Sequence, residues 1–121
     1  MTENPDAVQS PEAVELPEVV RRHLRAHDAH DVPTVLATFT TEATVADDGQ
    51  THEGTAAITR WLERTGSEYT YTTTLVGAER EGPDRYTVVQ HLEGDFPGGT
   101  VDLRYRFVLD RGLISRLDIA P

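Results

Sequence analysis

The sequence predicts a single α+β domain, with helices packed on one face of an antiparallel sheet. Two observations carry this. Helical periodicity of apolar residues is confined to the first half of the chain, up to about Arg64, and the second half is a run of Thr-, Tyr- and Val-rich segments separated by turn sequences. Helices first and a strand meander after place the helices together on one side of the sheet.

At 121 residues one domain is expected. Residues 1–15, MTENPDAVQSPEAVE, are polar, Pro-containing and aperiodic, so they read as a flexible tail before a domain over 16–121. Leu16 to His30 reads as an amphipathic helix. Pro17 and Glu18 suit its first turn, and Leu16, Val19, Val20 and Leu24 form its apolar stripe. His23 and His27 extend that stripe. Asp31 can cap a second helix with Val32, Val35, Leu36 and Phe39 turned inward. A short strand, Ala43 to Ala46, runs into Asp47 and Asp48. Thr55 can cap a third helix through about Arg64, with Ile58, Trp61 and Leu62 on one face and Gly66 ending it. Four strands follow: Glu68 to Arg80, Arg85 to Glu93, Thr100 to Leu109, and Leu113 to Ile119. The third alternates cleanly, with Val101, Leu103, Tyr105 and Phe107 on one face and Asp102, Arg104 and Arg106 on the other.

Composition excludes several chemistries. The formal charge is −10, which repels phosphate backbones and anionic lipid, so neither nucleic acid nor membrane is an expected partner. There is no Cys, hence no thiolate nucleophile or disulfide, and no Lys, hence no Schiff base. Exclusive use of Arg suggests a high-GC bacterial genome. No signal-peptide pattern or spanning run is visible, and a cytoplasmic location is expected. His23 and His27 stand four apart, but Leu24 follows His23 where a zincin needs Glu, so no metal is expected. GDFPGG joins two strands rather than opening a helix, so no phosphate loop and no cofactor is expected.

The stretches VVRRHLRAHDAHDVPTVLATF, EATVADDGQTHEGTAAITRWL and VDLRYRFVLDRGLISRLDI, in this order, resemble the nuclear transport factor 2-like superfamily. More narrowly, they resemble its SnoaL-like and ketosteroid isomerase-like branch. The resemblance implies a cone: a strongly curved antiparallel or mixed sheet, with three helices closing a pocket, commonly as a homodimer. It also implies roles. Asp47, at the end of ATVAD, falls where the isomerases hold their general base. The alternative is that Asp47 only leads a turn with Asp48 and Gly49. Consecutive strand residues point oppositely, so Asp48 is assigned to the turn. His23 stands where the isomerases carry a Tyr that donates to the oxyanion, and the alternative is a satisfied His on the helix stripe. Leu103 stands where their second acidic donor would be, so the full isomerase constellation is absent.

The expected site therefore has Asp47 and His23 as catalytic residues. His27, Trp61, Tyr69, Tyr71, His91, Leu103 and Tyr105 are expected to line the pocket. Two of these assignments carry open alternatives: His27 could face the surface, and strand parity does not decide between Gln90 and His91. The expected function is cofactor-free acid–base chemistry of isomerase, cyclase or dehydratase type on a small hydrophobic carbonyl metabolite. A non-catalytic binding or interaction domain of the same fold is the alternative.

Overall fold

The computed structural model describes residues 14–121. The expected tail, 1–15, lies outside them except for its last two residues. Three helices, α1 (Glu18–Asp28), α2 (Val32–Ala37) and α3 (Gly54–Glu68), pack on a six-stranded sheet. The strands are β1 (Phe39–Asp47), β2 (Gln50–Glu53), β3 (Tyr71–Gly82), β4 (Arg85–Gly94), β5 (Thr100–Asp110) and β6 (Leu113–Ala120). Their order is β2-β1-β6-β5-β4-β3. Every pairing is antiparallel except β1 with β6, so the sheet is mixed, curved and unclosed. No helix among the described residues is long and apolar enough to cross a membrane.

Local chemistry explains most boundaries. Asp31 caps α2 as expected: its carboxylate accepts from the Thr34 amide at 3.3 Å and from the Thr34 hydroxyl at 2.6 Å. Glu18 opens α1 and is paired with Arg25 at 3.0 Å, a pair exposed enough to contribute little. Asp48 and Gly49 both have positive φ, 53° and 75°, the backbone of a tight two-residue hairpin turn.

Four expectations are corrected. Phe39 does not end α2 but starts β1, where it pairs with Ile114 on β6. A strand not foreseen, β2, pairs with the end of β1 through Thr44–Glu53 to Asp47–Gln50. α3 starts at Gly54 with Glu53 in the N-cap position, so Thr55 lies inside the helix and its carbonyl accepts the Thr59 hydroxyl at 2.7 Å. Gly66 does not end α3, which runs on to Glu68.

The core lies between the helices and the concave sheet face. Val20, Ile58, Val45, Phe107, Ile114 and Leu117 are buried essentially completely. Each such side chain contributes about 1.5–3 kcal/mol by leaving water. The clean alternation of β5 holds: Tyr105 and Phe107 are buried, and Asp102, Arg104 and Arg106 are exposed.

Candidate active site

On the inner face of β1, Ala43 and Val45 are fully buried, and Asp47 continues the same alternation. The hairpin turn directly after it fixes that register, so Asp48 falls to the solvent side. One oxygen of Asp47 is held: the Trp61 indole N–H, from α3, donates to its Oδ2 at 3.0 Å. Asp47 lines a cavity of about 200 Å³.

The cavity brings together most of the residues expected there. His27 from α1, Trp61 from α3, Tyr71 from β3, and Leu103 and Tyr105 from β5 line it, and Tyr69 borders it beside Phe96. His27 therefore faces inward rather than the surface. In register, Asp47 pairs with Ile119, and Ile119 pairs with Tyr105. The carboxylate and the phenol thus rise from one face with a single strand between them, their backbones about 10 Å apart. Thr65, Glu68, Leu92 and Val101 complete the walls and were not anticipated. For Leu92 and Val101 the signal was simple strand parity, once the register of β4 on β5 is known.

Protonation states follow from burial. Burial lowers the pKa of His27, and the neighbouring His30 adds to this, while Asp28 and Asp47 oppose it. Burial raises the phenol of Tyr71, helped by the negative charges of Asp28 and Asp47. Burial likewise raises Tyr105 strongly, with Tyr71 and Asp47 adding and the Gln90 amide opposing. All three groups are uncharged near neutrality, and all three feel the Asp47 charge. The site therefore sets the Asp47 carboxylate, anchored by Trp61, among neutral hydrogen-bond donors, with Glu68 a second carboxylate in the wall.

Two expected site residues lie elsewhere. His23 is buried in the core and lines none of the cavities described. Its Nδ1 lies 3.0 Å from the Thr38 hydroxyl, which itself donates to the Val35 carbonyl at 2.6 Å. The hydroxyl proton is thus committed, so Nδ1 carries the imidazole proton and Nε2 is a bare acceptor, buried without a partner among the described residues. Phe39 and Phe107 meet the ring edge-on at 5.3 and 5.4 Å, and of the rings around it His27 is the one that lines the cavity. Burial holds its pKa down at about 3. His23 does not supply an oxyanion donor.

His91 sits on the outer sheet face. Its two ring nitrogens meet Asp102 at 2.6 Å and Glu93 at 2.9 Å. Gln90, the register partner of Leu103, is the β4 residue turned inward. Hydrogen bonds donated to the carboxylates of Asp102 and then Glu93 raise the His91 pKa. Its titration by NMR is expected above the ordinary value of 6.5, and Asp102→Asn should bring it down. Because the folded value is raised, this clamp favours the folded state at acid pH and fades as pH rises through that value. A His91 midpoint unmoved by Asp102→Asn would contradict the clamp.

A row of stacked rings backs the site. His23 stacks on His27 at 6.1 Å, and both His27 and His52 stack on Trp61, at 6.3 and 5.9 Å. Trp61 is the one tryptophan of the chain, so its indole N–H gives one NMR resonance. That resonance should move on Asp47→Asn. An indole signal indifferent to the substitution would mean that the 3.0 Å bond does not hold in solution.

A curved mixed sheet, closed on its concave side by three helices and holding a carboxylate in the resulting cavity, is the nuclear transport factor 2-like cone in its SnoaL-like and ketosteroid isomerase-like form. The chain belongs to the SnoaL-like domain family, whose model matches residues 20–116. Among solved structures it is similar to a candidate polyketide cyclase from Sinorhizobium meliloti, 32% identical, with a TM-score of 0.82 over 87% of this chain and 95% of that one. A protein from Catenulispora acidiphila with a ketosteroid isomerase-like fold, solved with trimethylamine, is 20% identical with a TM-score of 0.77, over 88% of this chain and 87% of that one. RV0760c of Mycobacterium tuberculosis, solved with estradiol-17β-hemisuccinate, is 20% identical with a TM-score of 0.72, over 93% and 95%. No curated protein sequence matches the chain.

Proposed function

We propose that this domain is a cofactor-free acid–base enzyme acting on a small hydrophobic carbonyl compound. The observation that carries the reading is the Asp47 carboxylate, anchored through Oδ2 by Trp61 in the wall of a largely apolar cavity that is also lined by three phenols and an imidazole. Oδ1 makes no hydrogen bond to another side chain among the described residues. In this reading it takes a proton from the carbon next to the carbonyl. The electron pair moves onto the carbonyl oxygen, and Tyr71, Tyr105 or His27 donates a hydrogen bond to that oxyanion. Return of the proton to another carbon is isomerisation. Attack of the enolate on a second carbonyl is aldol-type cyclisation, and loss of a β-hydroxyl is dehydration.

The S. meliloti relative, with its cyclase designation, supports the reaction class, and the steroid ester bound by RV0760c supports a flat apolar ligand. A non-catalytic binding domain is the second reading. It is favoured by Leu103, which puts a hydrocarbon in the wall where the isomerases hold their second acid. Exchange of a methyl ketone's α-protons for solvent deuterium, followed by NMR, separates the two. Wild-type protein should accelerate exchange and Asp47→Asn should not. Binding without any acceleration would establish the binding-only reading. A homodimer is also part of the proposal, and sedimentation of the full chain tests it.

A further inference from the structure

Gly66 has no evident backbone role. It lies inside α3, not at its end, and no left-handed φ requires a glycine there. An exposed helix position held by Gly instead of Ala costs about 1 kcal/mol. What a side chain would do there is specific: a Cβ at Gly66 would come to 3.4 Å from Nδ1 of His30, across a cleft. That cleft, between α2 and the last turns of α3, has a volume of about 210 Å³. Its floor is hydrocarbon, from Val32, Val35 and Leu62, and polar groups such as Glu63 and Ser67 stand at its rim. It adjoins the Asp47 cavity, with His27, Thr65 and Tyr71 lining both. Each space alone is smaller than the roughly 300–1,000 Å³ of ordinary ligand pockets.

We propose that the cleft is a second subsite for the same ligand, taking an unbranched alkyl extension of the carbonyl compound, with Gly66 as the specificity-determining residue that keeps it open. This rests on the site reading above. A head group beside Asp47 has two neighbouring spaces for its chain: the apolar cleft beyond Tyr71 and His27, and the strongly polar surface of Asp48, Arg64 and Glu68. An alkyl chain favours the first. A polar or charged substituent gains nothing from Val32, Val35 and Leu62. The predicted ligand therefore has one carbonyl end and one aliphatic end.

The test is binding of methyl ketones of increasing alkyl length, from butanone to decanone, to the full chain, read by Trp61 fluorescence. Affinity of the wild type should rise by up to about fourfold per added methylene until the cleft is filled. Gly66→Leu should bind butanone like the wild type and lose the dependence on length. Gly66→Ala should plateau between them, and it serves as the second variant if Leu disturbs the helix. Melting temperatures at or above the wild type's, as removal of a helix glycine should give, exclude misfolding. Equal slopes in wild type and Gly66→Leu, or a flat wild-type series as an occupied cleft would give, overturn the proposal. Asp47→Asn should abolish deuterium exchange while leaving the slope intact. Loss of the slope alone sinks the subsite, and retained exchange in Asp47→Asn alone sinks the base.

Discussion

Replacing Asp47 by Asn is expected to slow α-proton exchange at a bound methyl ketone by at least about a hundredfold, the usual contribution of a general base. The substitution is nearly isosteric. Its carbonyl oxygen can still accept from the Trp61 indole, so the anchor at 3.0 Å can survive. Only the capacity to hold a proton is lost. Binding should therefore change little while turnover collapses, the pattern of an interaction made in the transition state alone. A fall of less than about tenfold would reject the base role. The donors are less exposed to single substitutions, because Tyr71, Tyr105 and His27 all reach the cavity and one can substitute for another.

Acidification is expected to cost the fold heavily through one residue. His23 is neutral in the folded state, with its pKa depressed to about 3, against 6.5 for the unfolded chain. Below 6.5 the unfolded chain binds a proton that the folded chain refuses, so stability is full above that value and falls as pH drops toward 3. The difference amounts to about 2 kcal/mol at pH 5 and about 5 kcal/mol once both forms are protonated. His27 shifts in the same direction and adds to the loss. His23→Leu removes the titrating ring and its unpartnered Nε2 together. Urea denaturation should find the variant close to wild type at pH 7.5 but markedly more stable relative to it at pH 5. Parallel pH profiles for the two proteins would show that His23 is reached by solvent.

The different fates of His23 and Asp47 show what was legible. Asp47 was placed through the resemblance of ATVAD to the isomerase branch, and strand parity with an Asp-Gly turn, both local rules that hold here, told it apart from Asp48. His23 could be placed on the inner face of α1 but not in the cavity, because that depended on what packs around it. Phe39 was expected to close α2. It opens β1 instead, and its ring and that of Phe107 pack edge-on against His23 in the core, while His27, one turn further on, is the ring that lines the cavity. His91 failed for a related reason. Which face of β4 turns inward depends on where it pairs with β5, and that register is set by the turn whose Gly94 amide bonds the Gly99 carbonyl at 2.9 Å. Side-chain pattern alone does not reveal such a register. The fold class was legible because it needed only the order of periodicities. β2 escaped because Gln, Thr, His and Glu carry almost no strand preference between them.

β6 comes last of the strands in the chain, yet it lies between β1 and β5. A ribosome delivers β1 and β2 long before the strand that joins them to the rest. Until then β1, paired only with β2, presents an open edge, and the helices have no complete sheet to cover. The β3–β4–β5 meander can form by itself, but the cone cannot close until some of the most distant segments of sequence meet. Folding should thus be slow for a chain of this length and vulnerable to premature pairing at β1. The Asp47 cavity, bounded by both β1 and β5, comes into being only at that final step.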